Sequence, residues 1–245
     1  MNTIYQDGRE YDNLGMGQGA RDEIEFYFAQ AGRGTSTLEL ACGTGRLTVP
    51  LAERGIDITG IDNAPAMLSA AEAKAAGGGV SPAFIEADMR GFSLGKTFDL
   101  IFLPNNSLGH LHGLADIRSC FSCVRRHLSS GGRFIVDMFG PSLPLLMREA
   151  GRHYPVAEYV HPDGTPVAIM ETVWYDAATQ ISHSLWHYQR EGEPADIRAF
   201  DMRMFFPQEL DALLTLSGFT IEAKYGGFDK SAFSAASRQQ LVVCR

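Results

Sequence analysis

LELACGTGR, residues 38–46, runs from an apolar segment into two glycines spaced by one residue, then turns basic and apolar again. Strand, Gly-x-Gly, helix is the geometry of a nucleotide-binding first crossover. The glycines remove Cβ atoms where backbone must touch a ligand, and the helix N-terminus faces that ligand. A dinucleotide fingerprint wants a third glycine three residues after the second. Thr48 stands there instead, so an NAD reading loses its helix-packing glycine.

Outward from this stretch, DITGID (57–62) reads as the next strand. It ends in Asp62, seventeen residues after Gly45, where a carboxylate can accept from both hydroxyls of a ribose. The third strand, PAFIEAD, ends in Asp88-Met89, an acid for an adenine amino group beside an apolar side chain for its ring. A lone Gly-x-Gly is a weak signal. Acids at the ends of successive strands make it a strong one.

The rest of the first 140 residues alternates in the same way. Residues 19–31 carry Ile24, Tyr27 and Phe28 at helical spacing. A strand spans 37–41 and a helix 46–54, stopped by Gly55; a second helix spans 64–76, with Pro65 in its first turn and three glycines after it. FDLIFLP and GRFIVDMF are the fourth and fifth strands, separated by a helix over 114–128. Apolar strands joined by helices predict a doubly wound, mostly parallel α/β sheet covered on both faces. From Gly140 the pattern changes to four strand-like runs joined by turn signals, an antiparallel meander. In the last run Phe200, Met202, Met204 and Phe206 alternate with Ala199, Asp201, Arg203 and Phe205, which makes the first set the apolar face. A helix over 207–217 and two closing strands resume the α/β pattern.

Hydrophobic residues make up 45% of the 245 and charged residues 20%, enough apolar surface for a sizeable core. The net charge of −8 argues against a nucleic-acid or anionic-membrane surface, which needs clustered Lys and Arg. No apolar run approaches the roughly 20 residues of a membrane helix. The polar N-terminus does not read as a signal peptide, and four cysteines without disulfide spacing suit a reducing cytoplasm. Cys120 and Cys123 share a helix face and read as ordinary buried thiols, because a zinc site wants a second pair.

LELACGTGR, ITGIDNAPAML, IEADMRGF, FDLIFLPNNSLGHL and HLSSGGRFIVDMF, in this order and at these intervals, resemble the successive motifs of class I S-adenosylmethionine-dependent methyltransferases. The meander and the N-terminal YDNL resemble the small-molecule branch that includes glycine N-methyltransferase and the amino-sugar N-methyltransferases. Ala41 departs from the pattern, standing where that family most often has its first glycine; slightly altered backbone clearance is expected.

The resemblance implies a seven-stranded Rossmann-like sheet and S-adenosyl-L-methionine as cofactor. It implies that the loop from Ala41 through Gly43 to Gly45 passes under the methionine part of the cofactor. Glu39 would orient that loop or receive the ammonium through water, and Asp62 would hold the ribose. Asn63 and Met67 would lie beside the adenine, with Asp88 and Met89 on its amino group and ring. Pro104, Asn105 and Asn106 would place carbonyl oxygens near the ammonium and the methyl group. For Glu39 and Asp62 the alternative is a purely structural role, capping a helix or binding a loop amide.

Methyl transfer needs the reactants in line and water excluded, and a base only when the nucleophile arrives protonated. His110 and His112 follow the fourth strand on the ligand side, and His110 is the candidate to contact substrate or act as base. Tyr11 is a candidate to close over the cofactor from a mobile N-terminal segment, or to pin that segment. Asn106, Glu171, Trp174 and His187 are candidates for the acceptor pocket, with meander core as the alternative for the tryptophans. The expected division is a lid over 1–18, a cofactor-binding domain over 19–140 and 207–245, and a meander over 141–206 that covers the acceptor and contributes to a homodimer. The expected activity is methyl transfer to a small-molecule acceptor, at nitrogen by resemblance. An O-methyltransferase, an NAD-dependent oxidoreductase and a non-catalytic cofactor-binding protein stay as alternatives.

Overall fold

The computed structural model describes residues 4–14, 20–32 and 34–245. Residues 1–3 and 15–18 of the expected lid, and residue 19 of the helix expected over 19–31, lie outside them.

The chain begins with α1 (Gly8–Asn13) and α2 (Arg21–Ala31), then alternates. β1 (Ser36–Leu40) leads to α3 (Thr48–Glu53), β2 (Asp57–Asp62) to α4 (Pro65–Gly77), and β3 (Ala83–Glu86) to β4 (Phe98–Leu103). α5 (Leu114–His127), β5 (Leu128–Phe139) and a single turn, α6 (Leu143–Leu146), follow. Strands β2 to β4 match the runs read from the sequence. β1 pairs in parallel with β2 on one side and β4 on the other, so it is the strand where the winding reverses. Ligands of doubly wound sheets bind beyond the carboxyl ends of strands at that point.

Strand apolarity on both faces has a direct structural reason. In β4, Ile101 and Leu103 join Leu38, Leu40, Phe121 and Phe134 in the core on the α5 side. Leu100 and Phe102 join Phe26, Tyr27, Leu47 and Leu51 in the core beneath α2 and α3. Cys120 and Cys123 are free, buried thiols on the inner face of α5, as their helical spacing predicts.

β5 starts at Leu128, earlier than Gly132, where the sequence places it. Ser129 to Gly132 do not close the helix as a loop but extend the strand, which stays paired to β4 through a register shift between Phe98 and Leu100. α7 (Pro207–Leu216), β10 (Ile221–Tyr225) and β11 (Gln239–Cys244) complete the sheet, in the order β10-β11-β5-β4-β1-β2-β3. β11 is antiparallel to both its neighbours.

The meander forms a second, four-stranded antiparallel sheet of β6 (Tyr154–Val160), β7 (Pro166–Asp176), β8 (Ile181–Arg190) and β9 (Asp196–Arg203). Its inner face carries Val167, Ile169, Trp186 and Tyr188, packed with Leu14 and Phe200. The alternation expected through Phe206 does not hold. β9 ends at Arg203, and beyond it Phe205, assigned above to the mixed face, is the fully buried aromatic of this run. The two tryptophans separate by strand parity: Trp186 is core, while Trp174 lies on the outer face at 45% exposure.

α1 is too short to show periodicity in the sequence. Asp7 caps it, its Oδ1 accepting from the Arg9 and Glu10 amides at 2.9 and 3.1 Å. Gly8 rests so close on α4 that a Cβ there would stand 2.7 Å from the Ala70 methyl. Among the described residues no helix is long and apolar enough to cross a membrane.

Candidate active site

A cavity of about 630 Å³ opens at the carboxyl ends of β1, β2 and β4. Its floor is the turn after β1. Ala41 and Gly43 both hold left-handed backbone, with φ of 53° and 55°. Ala41 therefore occupies a conformation that favours glycine, which is the cost of its departure from the family pattern. Gly45, also on this turn, does not line the cavity: a Cβ there would meet Val49, Ala71 and Phe84 at 2.9–3.3 Å, so its bareness serves packing beneath the turn.

Asp62, at the end of β2, faces the cavity and ties its rim together. Its Oδ2 accepts the Gly43 amide at 2.8 Å and its Oδ1 the Ala64 amide at 2.9 Å. Each oxygen keeps lone-pair capacity, so the loop-binding and ribose-binding readings are compatible. Burial raises its carboxyl above the usual range while those amides pull it down. Asn63, Met67 and Met89 line the same end. Asp88 does too, and Arg90 clamps it: Oδ1 accepts from the Arg90 amide at 2.8 Å and Oδ2 from Nη2 at 2.6 Å. That pairing lowers the Asp88 pKa.

At the opposite end stand Glu39 and Arg46. Glu39 is buried and accepts the hydroxyl of Thr48, the residue in the third-glycine position. Burial pushes its carboxyl up to about 8. Arg46 is ion-paired to Glu23 of α2, with Nη2 donating to Oε1 at 2.8 Å.

The turn after β4 supplies the third wall. Asn105 and Asn106 hold φ of 52° and 64°, a conformation asparagine tolerates better than most residues. Asp137 of β5 braces it, its Oδ2 accepting the Asn105 amide at 3.1 Å. Pro104 and Asn105 line the cavity; Asn106 does not, because its side-chain oxygen turns back to accept the Phe139 amide. Beyond them His110 meets Tyr5, with the Tyr5 hydroxyl 2.8 Å from Nε2 and the rings edge to face. Burial pushes the His110 pKa down to about 4 and raises the Tyr5 phenol. His110 also bonds the Asp201 carbonyl. Tyr11 lines the cavity from α1, its ring 5.8 Å from that of Tyr5.

Besides Asn106, three more expected acceptor residues are not part of this cavity. Trp174 and His187 share the outer face of the second sheet, where Trp174 stacks on His183 and His187 bonds the Thr172 hydroxyl at 3.0 Å. Glu171 has the inward parity but is committed to Arg148 at 2.7 Å and the Trp186 indole at 3.2 Å. Parity groups residues onto one face; the packing of the sheet decides which face turns inward. Sequence reasoning in turn missed Tyr5 and Arg46. Arg46 had a signal, a cation directly after the last glycine of the turn, and Tyr5 had one in sharing a segment with Tyr11.

The donor set fits S-adenosylmethionine. A carboxylate stands where a ribose diol would lie, with thioether side chains beside it. A carboxyl group and a guanidinium stand where an amino-acid tail would end.

Residues 37–132 match the family described as a methyltransferase domain. YqeM of Bacillus subtilis, whose name assigns it to the methyltransferases, is 29% identical over 229 residues, covering 88% of this chain and 85% of its own. The dTDP-3-amino-3,4,6-trideoxy-alpha-D-glucopyranose N,N-dimethyltransferase of Streptomyces venezuelae is 24% identical, covering 89% of this chain and 91% of its own. Among solved structures, the CcbJ methyltransferase of Streptomyces caelestis superposes with a TM-score of 0.83 at 25% identity, covering 99% of this chain and 98% of that one. Family, fold and cavity agree, and they displace the oxidoreductase and non-catalytic readings. Residues 37–132 carry a methyltransferase domain, and the relatives and the fold support S-adenosylmethionine-dependent methyl transfer by this chain.

Proposed function

We propose that the protein methylates a nitrogen of a small-molecule acceptor. The observation that carries the nitrogen reading is the likeness to amino-sugar N,N-dimethyltransferases, and the Tyr5–His110 pair beside Asn105 supplies the polar group that faces the acceptor. Burial keeps both side chains neutral. With His110 donating to the Asp201 carbonyl, its Nε2 is free to accept the Tyr5 proton, and the Tyr5 oxygen then accepts an N–H or O–H of the methyl acceptor.

When bound, the cofactor supplies an electrophilic methyl group on a sulfonium. The chain's part is placement. Asp62 anchors the ribose, with Met67 and Met89 against the adenine, while Glu39 and Arg46 take the ammonium and carboxylate of the amino-acid tail. The Pro104–Asn105 turn, which lines the cavity, would bound the cofactor on the acceptor side. Tyr5 would orient the lone pair of an amine that enters neutral, its ammonium proton having passed to solvent, and Tyr11 and Tyr5 would keep water out. Proximity and desolvation of this kind supply most of the rate in such displacements. His110, with its depressed pKa, is a weak base; its role is to hold the Tyr5 proton.

We place the reaction in the cytoplasm and the protein in a homodimer. The outer face of the second sheet supports the dimer, bringing Met170, Trp174, Leu185 and Ile197 to one side, with Ile197 54% exposed. The acceptor class is tested by turnover on matched amino and hydroxy sugars with S-adenosylmethionine. Methylation of the amino member is expected; faster methylation of the hydroxy member overturns the nitrogen reading.

A further inference from the structure

At and behind the Glu39 end of the cavity, the described residues hold more buried carboxyl groups than cations. Glu39 on β1, Glu23 on α2 and Asp137 on β5 are 2%, 4% and 3% exposed. The guanidinium that faces them is that of Arg46, already paired to Glu23. Glu39 is met by the Thr48 hydroxyl from α3, by Arg46 and by Glu23. The Cys42 thiol beside it is held protonated by burial. Asp137 is met by the Asn105 amide, Glu23 and Arg46. Tyr27 of α2 faces Asp137, Glu23, Arg46 and Glu39 together, and its buried hydroxyl has no hydrogen-bond partner among the described residues.

One guanidinium cannot neutralise three desolvated carboxylates, so the cluster retains protons. Burial holds Glu39 at about 8 and Asp137 at about 7. Glu39 lines the cavity, while Asp137 stands behind the Asn105 backbone and does not. Glu39 is thus the protonated group that an incoming ligand meets.

We propose that Glu39 carries a proton in the free protein and loses it when the cofactor's ammonium arrives, so that cofactor uptake releases a proton. The proposal rests on the reading that the amino-acid tail lies over Glu39. The Glu39 O–H bond breaks, its proton passes to solvent, and the carboxylate left behind pairs with the ammonium. Below the Glu39 pKa, affinity then rises about tenfold per pH unit. Above the Glu39 pKa that slope vanishes, because the carboxyl is already ionised before the ammonium arrives.

Calorimetry on the full chain at pH 6.5 tests this, in two buffers of different ionisation enthalpy. The probes are S-adenosylhomocysteine, which keeps the ammonium, and 5′-methylthioadenosine, which lacks it. The expected result is release of about one proton with the first probe and none with the second. Affinity for S-adenosylhomocysteine should rise about tenfold from pH 6 to 7, and Glu39→Gln should abolish both the release and the pH slope. Binding without release, or equal release with both probes, overturns the linkage, and both outcomes are read on the unmutated protein. Release that survives Glu39→Gln but vanishes in Asp137→Asn assigns the proton to Asp137 and overturns the proposal as stated. Binding of neither probe overturns the cofactor reading itself, and the linkage with it.

Discussion

Asp62 has two duties, and a substitution there removes both. It anchors the Gly43 and Ala64 amides and presents its remaining lone pairs to the cavity. Asp62→Ala should weaken S-adenosylmethionine binding by roughly 1.5–3 kcal/mol, the range for charge-assisted hydrogen bonds. Calorimetry that finds unchanged affinity rules out the ribose role. Asp62→Asn, which retains a single acceptor oxygen, should fall between the two.

The floor of the turn makes a sharper comparison. Left-handed backbone costs a non-glycine residue about 1–2 kcal/mol. The half-buried Ala41 methyl recovers at most about 0.8 kcal/mol, and alanine gives up less chain entropy on folding than glycine by about 0.5–1 kcal/mol. These terms nearly cancel, which explains why alanine is tolerated here. Ala41→Gly should therefore shift the thermal midpoint by no more than about 2–4 °C, the equivalent of about 1 kcal/mol for a chain of this size. Gly43→Val should behave differently. A Cβ at Gly43 meets only the Met67 Cε, at 3.5 Å, so protein atoms leave room for it. The space it would fill is the cavity. The variant should fold with a lowered midpoint and lose cofactor binding; normal binding would show that Gly43 serves the turn alone.

At the scale of elements, α1 decides how the cavity closes. Six residues do not hold a helix by themselves. Its anchors lie on both sides of the site. Asp12 accepts the Thr44 hydroxyl at 2.6 Å and pairs with Lys74 at 2.9 Å on the cofactor side. Glu10 accepts the Tyr159 hydroxyl at 3.1 Å and pairs with Arg198 on the second sheet. The helix thus bridges the two sheets and carries Tyr11 into the cavity at the carboxyl ends of the large sheet. Deleting residues 1–15 should lower turnover more than the thermal midpoint, because the two cores under the large sheet do not depend on this segment. Equal turnover in the truncated protein would remove Tyr5 and Tyr11 from the site.

The same helix shows where sequence reading stops. β2 and β4 were legible because buried parallel strands are continuous apolar runs ending at turn residues. Asp62 and Asp88 were legible because they end such strands. α1 has no periodicity to read, and its placement depends on contacts with α4, Thr44 and β6 that lie far away in sequence. Trp174 and His187 fall outside the cavity for a related reason. Both faces of the second sheet carry apolar and polar side chains, so alternation alone does not say which face turns inward.

For the whole molecule, the outer face of the second sheet is the least reconciled feature. It exposes Trp174 and Ile197 beside the half-buried Met170 and Leu185, while the inner face is already filled by Trp186, Tyr188 and Leu14. Large apolar side chains exposed on one face of a sheet mark an association surface more often than bare solvent exposure. A two-fold axis through it would pair identical patches and bury both at once. Light scattering across a concentration range should give about twice the 26.8 kDa of one chain. The paired substitutions Trp174→Glu and Ile197→Glu place like charges face to face across such an axis and should return the protein to a monomer, with S-adenosylmethionine binding retained because neither residue lines the cavity. A wild-type protein that remains monomeric at high micromolar concentration refutes the dimer. A dimer that survives both substitutions places the interface elsewhere and leaves this face to another partner.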